Sequence, residues 1–241
     1  GGGDLLNLLS AHKQFTEPEA RFYVAEIAAG LGHLHSRGLL FRDLKPENVV
    51  VDATGHLLLT DFGIAKQNDA SKGEESQSST FCGSPMYLAP EMLRKRQGRV
   101  KGYGKCVDWW SLGVLMYECL VGHSPFAARD QNAICRKIVQ RSYSCPKTSM
   151  FTKDAVDIID KLLQAKGPDR LASGPSGASP VKNHPWFADI DWNGLLAKTE
   201  KAPWIPKVKD DLDTSNFDSY GVDDSFDKRW HDPSPGWEKD F

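Results

Sequence analysis

Residues 108–121 read Asp-Trp-Trp-Ser-Leu-Gly-Val-Leu-Met-Tyr-Glu-Cys-Leu-Val and are apolar on nearly every face of the helix they would form. A soluble domain has to surround such a helix with other elements on all sides, which makes it the pillar of a helical lobe. Asp108 at its start then needs partners, because leaving a buried charge unpaired costs on the order of 3–5 kcal/mol. A second helix is legible from residue 16. Thr16 caps it, Glu19 completes a capping box and Pro18 fits the first turn. Tyr23, Ile27, Leu31 and Leu34 then form one stripe, and Gly38 ends it. Residues 130–140 and 152–163 predict further amphipathic helices, the latter burying Val156, Ile159, Leu162 and Leu163; residues 182–187 close the lobe with Trp186. Residues 49–51 and 56–59 predict two short strands around an Ala53-Thr54-Gly55 turn.

Composition supports a packed globular unit: 40% of the residues are apolar and 26% charged. The net charge of −2 supplies no basic field for nucleic acid or for an anionic membrane. The longest apolar run, 114–121, is interrupted by Glu118 and is far too short for a membrane span. Cysteines 82, 106, 119, 135 and 145 form no Cys-x-x-Cys and are odd in number. With no cationic-then-apolar leader, they read as reduced thiols of a cytoplasmic protein. Cys82 is either a packed thiol or a redox-sensitive one.

The chemistry concentrates in residues 41–63. Phe-Arg-Asp-Leu-Lys-Pro-Glu-Asn leads through three valines to Thr-Asp-Phe-Gly. The predicted hairpin sets these two polar turns side by side. Asp61 and Asn48 offer oxygens to Mg²⁺. Asp43 is placed to accept a proton from a hydroxyl, and Lys45 to neutralise a phosphoryl group in transit. Such a set suits phosphoryl transfer, where catalysis is mostly positioning and electrostatics.

Arg42-Asp43-Leu44-Lys45-Pro46-Glu47-Asn48 resembles the catalytic loop of eukaryotic protein kinases, Asp61-Phe62-Gly63 their metal loop, and Ala89-Pro90-Glu91 the end of their activation segment. The resemblance covers nearly the whole chain. It implies a mainly α fold with small β hairpins: a kinase-like large (C-terminal) lobe over residues 1–187 and an extended C-terminal tail over 188–241. It also implies ATP and Mg²⁺ as cofactors. The family's first lobe is expected to be missing, since no Gly-x-Gly-x-x-Gly loop and no Val-Ala-Ile-Lys strand precede Phe41.

Residue by residue, the resemblance implies catalytic roles for Asp43, Lys45 and Asn48, and for Ser84, whose hydroxyl would bond Asp43 and Lys45. Metal would sit on Asn48 and Asp61. The nucleotide would be met by Asp4, Glu47, Val50, Thr60, Asp61 and Phe217. Thr80, in a polar loop at 67–80 expected to be mobile, would be the activation phosphosite and Arg42 its grip. Structural roles fall to Asp108, accepting from the catalytic-loop backbone, and to a Glu91–Arg170 pair. Phe41 and Phe62 would be neighbours in an internal apolar spine.

Phe41 before the arginine, Val107-Asp108-Trp109-Trp110-Ser111, and Lys182-Asn183-His184-Pro185-Trp186-Phe187 are similar to the AGC branch of Ser/Thr kinases. Gly236-Trp237-Glu238-Lys239-Asp240-Phe241 resembles the end of the cGMP-dependent subgroup, and a ribosomal-S6-kinase-like relative stays open. From Glu200 on, eleven acids face six bases, a composition that by itself reads as disordered. The resemblance turns this segment into a strap with Phe217 against adenine, loose from about residue 211 when no first lobe is present. Substrates would be proteins with basic residues before the target Ser/Thr, read by Asp4, Glu47 and Glu118; cyclic-nucleotide-binding regulatory domains are a further implied partner. Asp4 instead suits ribose hydroxyls, and Glu118 a purely structural charge. Met86 stands where the family commonly has Glu, which weakens recognition of a more distant arginine. Two functions of different class follow: a protein kinase, and a kinase-like lobe that binds partners without phosphorylating them.

Overall fold

In a computed structural model of the chain, residues 1–67, 85–96, 103–144, 151–210 and 213–217 are described. Thr80, Cys82, Ser84, the loop at 68–84 and the terminal aromatics Trp237 and Phe241 lie outside them. The order of elements is α1 (Leu5–His12), α2 (Glu17–Ser36), β1 (Leu39–Leu40), β2 (Val49–Val51), β3 (Leu57–Leu59), β4 (Lys66–Gln67), α3 (Pro90–Arg96), α4 (Cys106–Val121), α5 (Gln131–Gln140), α6 (Lys153–Leu162), α7 (Ser179–Lys182) and α8 (Trp192–Leu196).

Helix α4 is the centre. Thirteen of its sixteen residues are buried, and α2 and α6 flank it. Trp110 stacks on Phe126 with centroids 5.3 Å apart, and the Arg170 guanidinium lies 5.1 Å from the Trp110 ring centre. Arg170 itself is buried. It donates to Glu91 Oε1 at 2.7 Å and Oε2 at 3.1 Å, and to the carbonyls of Cys106 and Gln164, so its charge is fully matched.

Helix α2 starts where the capping box predicts: Glu19 Oε2 accepts from the Thr16 backbone N–H at 2.8 Å. Glu17 ties this start to two other elements. Its carboxylate accepts from Thr152 N at 2.9 Å, from Thr152 Oγ1 at 2.5 Å and from Trp186 Nε1 at 2.9 Å. Asp130 and Thr152 cap α5 and α6, so both helices begin one residue inside the predicted segments. Helix α6 buries Ala155, Ile158, Ile159 and Leu162, with Leu163 following; Val156, expected inside, is half-buried because the stripe runs through Ala155 and Ile158 instead.

Two two-stranded antiparallel ladders sit beside α1 and α2. β2 and β3 form a hairpin with Val49 opposite Leu59 and Val51 opposite Leu57. His56, expected in the second strand, belongs to the turn. β1 pairs with β4, which returns the chain after residues 61–63 to the strand before Phe41. Helices α1, α7 and α8 and the β1–β4 ladder were not among the sequence expectations. Residues 201–210 carry no regular structure, yet Ala202 and Pro206 are buried. No helix of the described residues is long and apolar enough to cross a membrane.

Candidate active site

The site is built where the loop after β1 meets the end of β3. Asp108, its side chain fully buried at the start of α4, accepts from Phe41 N at 3.0 Å and Arg42 N at 2.7 Å. A third donor is His35 Nε2, 2.7 Å from Oδ2. Since an ionised carboxylate only accepts, that nitrogen carries the proton. Three donors satisfy the buried charge and pin two consecutive backbone amides. Arg42 adopts a left-handed φ of 69°, a conformation held only where the surroundings enforce it. Its guanidinium donates to the carbonyl of Ile64, just past the second polar turn.

On that anchored loop, Asp43 Oδ2 accepts from Lys45 Nζ at 2.9 Å and from Asn48 Nδ2 at 2.7 Å. The same amide also donates to the Asp43 carbonyl at 2.9 Å. Asn48 thus spends its nitrogen on Asp43, leaving its side-chain oxygen as the ligand it can offer. The hairpin register brings the other half of the site alongside. Thr60 N and Oγ1 both donate to the Asn48 carbonyl, at 2.9 and 3.2 Å, so Asp61 is the next residue along. Asp61 is exposed with a left-handed φ of 59°, and its Oδ1 accepts from Gly63 N at 3.1 Å. Phe62 packs edge-on against buried Phe41 with centroids 5.4 Å apart.

This donor set fits Mg²⁺. One amide oxygen and one carboxylate are what a protein contributes when phosphates and waters complete the octahedron. Among the described residues no group of three or more His, Cys, Asp or Glu could cage a metal by itself.

The remaining site residues fall into a rim. Asp4 caps α1, accepting from Asn7 N at 2.8 Å, and bridges to Val50; this structural role was not anticipated. Glu47 is exposed beside the loop. Glu118 accepts from the Tyr87 hydroxyl. Burial pushes the Glu118 carboxyl up against the opposing Tyr87 bond, with Glu47 adding like-charge repulsion. Met86, next to Tyr87, is half-buried. Residues 213–217 are seated on the start of the chain, contrary to the expectation of a loose tail there. Gly1 N donates to the Asp213 carbonyl at 2.8 Å, and Asn216 Nδ2 donates to Gly1 O at 3.1 Å. Gly3 has φ +82°, and a Cβ there would meet the Asn216 carbonyl at 2.3 Å. Residues missed in the sequence are His35, Tyr87 and the turn contacts of His56. Each is a single polar residue in an apolar helix or a turn, with no spacing to mark it.

A family model described as the protein kinase domain matches residues 1–187. The chain belongs to the protein kinase family. It is 40% identical over its full length to the cAMP-dependent protein kinase catalytic subunit of Dictyostelium discoideum, covering 36% of that protein. It is 39% identical to human ribosomal protein S6 kinase alpha-1, over 98% of this chain and 30% of the relative. It is 38% identical to the cAMP-dependent protein kinase catalytic subunit 2 of Drosophila melanogaster, over 95% of this chain and 61% of the relative. These similarities place it in the AGC serine/threonine branch. The chain spans about a third of the length of the first curated relatives it matches. Protein kinases act with ATP and Mg²⁺. In this family member Asn48 and Asp61 are the residues that would hold the metal, which supplies charge neutralisation at the phosphates.

Proposed function

We propose that the chain is the large lobe, residues 1–187, and tail, 188–241, of an AGC serine/threonine kinase acting on protein hydroxyls preceded by arginine. The activity is that of the chain joined to a first lobe that covers the nucleotide. The observation that carries this reading is the Asp43 carboxylate held by Lys45 and Asn48 on a loop whose backbone is pinned by Asp108. Asp43 orients the substrate hydroxyl and takes its proton, Lys45 steadies the transferred group, and the Ser84 hydroxyl bonds Asp43 and Lys45. Val50, Thr60 and Phe217 border the nucleotide. Thr80 is the activating phosphosite, gripped by Arg42, and Glu91–Arg170 braces the segment that follows. Glu47 and Glu118 read substrate arginines, with Tyr87 orienting Glu118; the capping role of Asp4 leaves its second oxygen for a guanidinium or a ribose. The cyclic-nucleotide-dependent subgroup, cyclic-nucleotide-binding regulatory partners and a cytoplasmic setting complete the proposal.

The test joins a first lobe to residues 1–241 and follows ³²P transfer to an arginine-preceded serine peptide. Asp43→Ala is expected to lower kcat by about 10²–10⁴-fold, and Asp61→Asn at least as severely. Unchanged kcat in either variant overturns the mechanism. Glu47→Ala is expected to lower kcat/KM by roughly 10- to 150-fold, from about 1.5–3 kcal/mol for a charge-assisted bond, and only on peptides carrying the arginine. The seating of residues 213–217 on the lobe itself favours a second reading, a non-catalytic binding module. Peptide binding without any transfer in the completed protein would establish that one.

A further inference from the structure

The β2–β3 hairpin that brings Asn48 and Asp61 together is only three residues deep. Two short strands do not hold a register unaided. Residues 2–4 bond to β2 on one side, and the returning arm is held by a buried polar contact to α2. His56, 2% exposed at the mouth of the hairpin turn, places Nδ1 2.5 Å from Glu26 Oε1. The second oxygen of the same carboxylate accepts from Leu57 N at 2.9 Å. Glu26 therefore grips the first two residues of the returning arm from the middle of α2, with side chains only 3% and 8% exposed. His56 also lies against Phe22 of α2, centroids 5.6 Å apart. Four residues past Leu57 stands Asp61.

The surroundings make the grip directional. From the turn, Asp52 accepts from His56 N at 3.0 Å and pairs with Lys198 at 2.5 Å. From α2, Tyr23 faces Glu26, and from the segment after α8 comes the Lys198 charge. Glu26 is thus the carboxylate that joins His56 to α2, and the remaining charges brace the turn from outside.

We infer that Glu26 and His56 are positioning residues for the metal loop, fixing β3 against α2 and through it the place of Asp61 relative to Asn48 and Asp43. The inference rests on the reading that Asn48 and Asp61 hold the divalent cation. The pair touches neither substrate nor metal. Glu26→Ala removes the acceptor for both His56 and Leu57, whereas Glu26→Gln keeps one oxygen for Leu57 N and retains the volume.

The test uses the 241-residue chain with Mn²⁺ as a paramagnetic stand-in, its affinity read by electron paramagnetic resonance, and backbone amide exchange read in parallel. In Glu26→Ala, exchange across 57–61 is expected to rise at least about tenfold and Mn²⁺ affinity to fall about tenfold, as for loss of an outer-shell ligand support. Protection in α4 should be unchanged, and Glu26→Gln should recover part of both effects. His56→Gln should loosen 57–61 in the same pattern. Unchanged exchange at 57–61, or loss of protection spread evenly through α4, overturns the positioning role. Asp61→Asn separates the two claims. If it leaves Mn²⁺ binding intact, the metal reading fails, and the exchange data alone then decide whether Glu26 fixes the hairpin.

Discussion

Asp108 and Asp52 do the same local job in opposite surroundings. Each gathers two backbone N–H groups at a turn: Phe41 and Arg42 for Asp108, Thr54 and His56 for Asp52. Each adds one cationic or ring-nitrogen partner, His35 in the first case and Lys198 in the second. Asp108 is sealed, however, while Asp52 and Lys198 are open to water at 18% and 44% of their side-chain surface. In the sealed site every lost contact leaves an orphan that water cannot reach. At the open one, water substitutes and salt screens. The loop that carries Asp43 is accordingly fixed from beneath by a sealed carboxylate. The hairpin turn is braced from outside by a partly exposed one.

The largest effect should follow Asp108→Ala. It orphans two backbone amides, that of Phe41 buried, and the His35 ring, with an expected loss on the order of 3–5 kcal/mol in urea unfolding. A loss below about 1 kcal/mol would erase the contrast drawn above.

Glu17, gripping Thr152 and Trp186, stands between the two extremes. Its burial raises the carboxyl, but the bonds from Thr152 and Trp186 and the Arg21 charge outweigh it and leave the group below its ordinary value of 4.5. Glu17→Gln should cost about 1–2 kcal/mol at neutral pH. Because the folded value is depressed, this contribution is present above pH 4.5 and is lost as pH falls through the folded value. The variant's stability curve should therefore be flatter than the parent's in acid; identical slopes would contradict the assignment.

Lys198→Ala should change least, by less than about 1 kcal/mol, and less still in high salt. Asp52 titrates at about 2, down from 3.8, because the bonds from Lys198, Thr54 and His56 overcome its partial burial. Its contribution is present above pH 3.8 and disappears as pH falls towards about 2. A larger loss in Lys198→Ala than in Glu17→Gln would show that exposure is not what ranks these carboxylates.

Much of this architecture was legible because it is written in periodicity and caps. The apolar run of α4, the Thr16–Glu19 box of α2 and the amphipathic stretches of α5 and α6 each act within a few residues of chain. The phase of the α6 stripe was misjudged at Val156, since Val and Ile are interchangeable in a pattern and only packing against α4 selects Ile158. At the site, the spacing of Asp43, Lys45 and Asn48 is local, and the observed hydrogen bonds lie within five residues. Asp4 and Glu118 were harder to place because an isolated acid reads equally as ligand, cap or buried acceptor. The α1 cap and Tyr87 engage them in the folded chain. Helix α1 itself has only eight residues and lies behind three glycines, too short for its period to stand out.

The sequence by itself determined the helical lobe, the two polar turns and the phosphoryl-transfer chemistry they suit, because those depend on residue type and short spacing. The tertiary structure alone decided which distant groups hold that chemistry in place. His35 and Asp108 meet across 73 positions, and Glu26 and His56 across 30. No local propensity encodes such pairings. Each forms because burying one partner leaves a polar atom unsatisfied, and only the packed chain brings the other within reach.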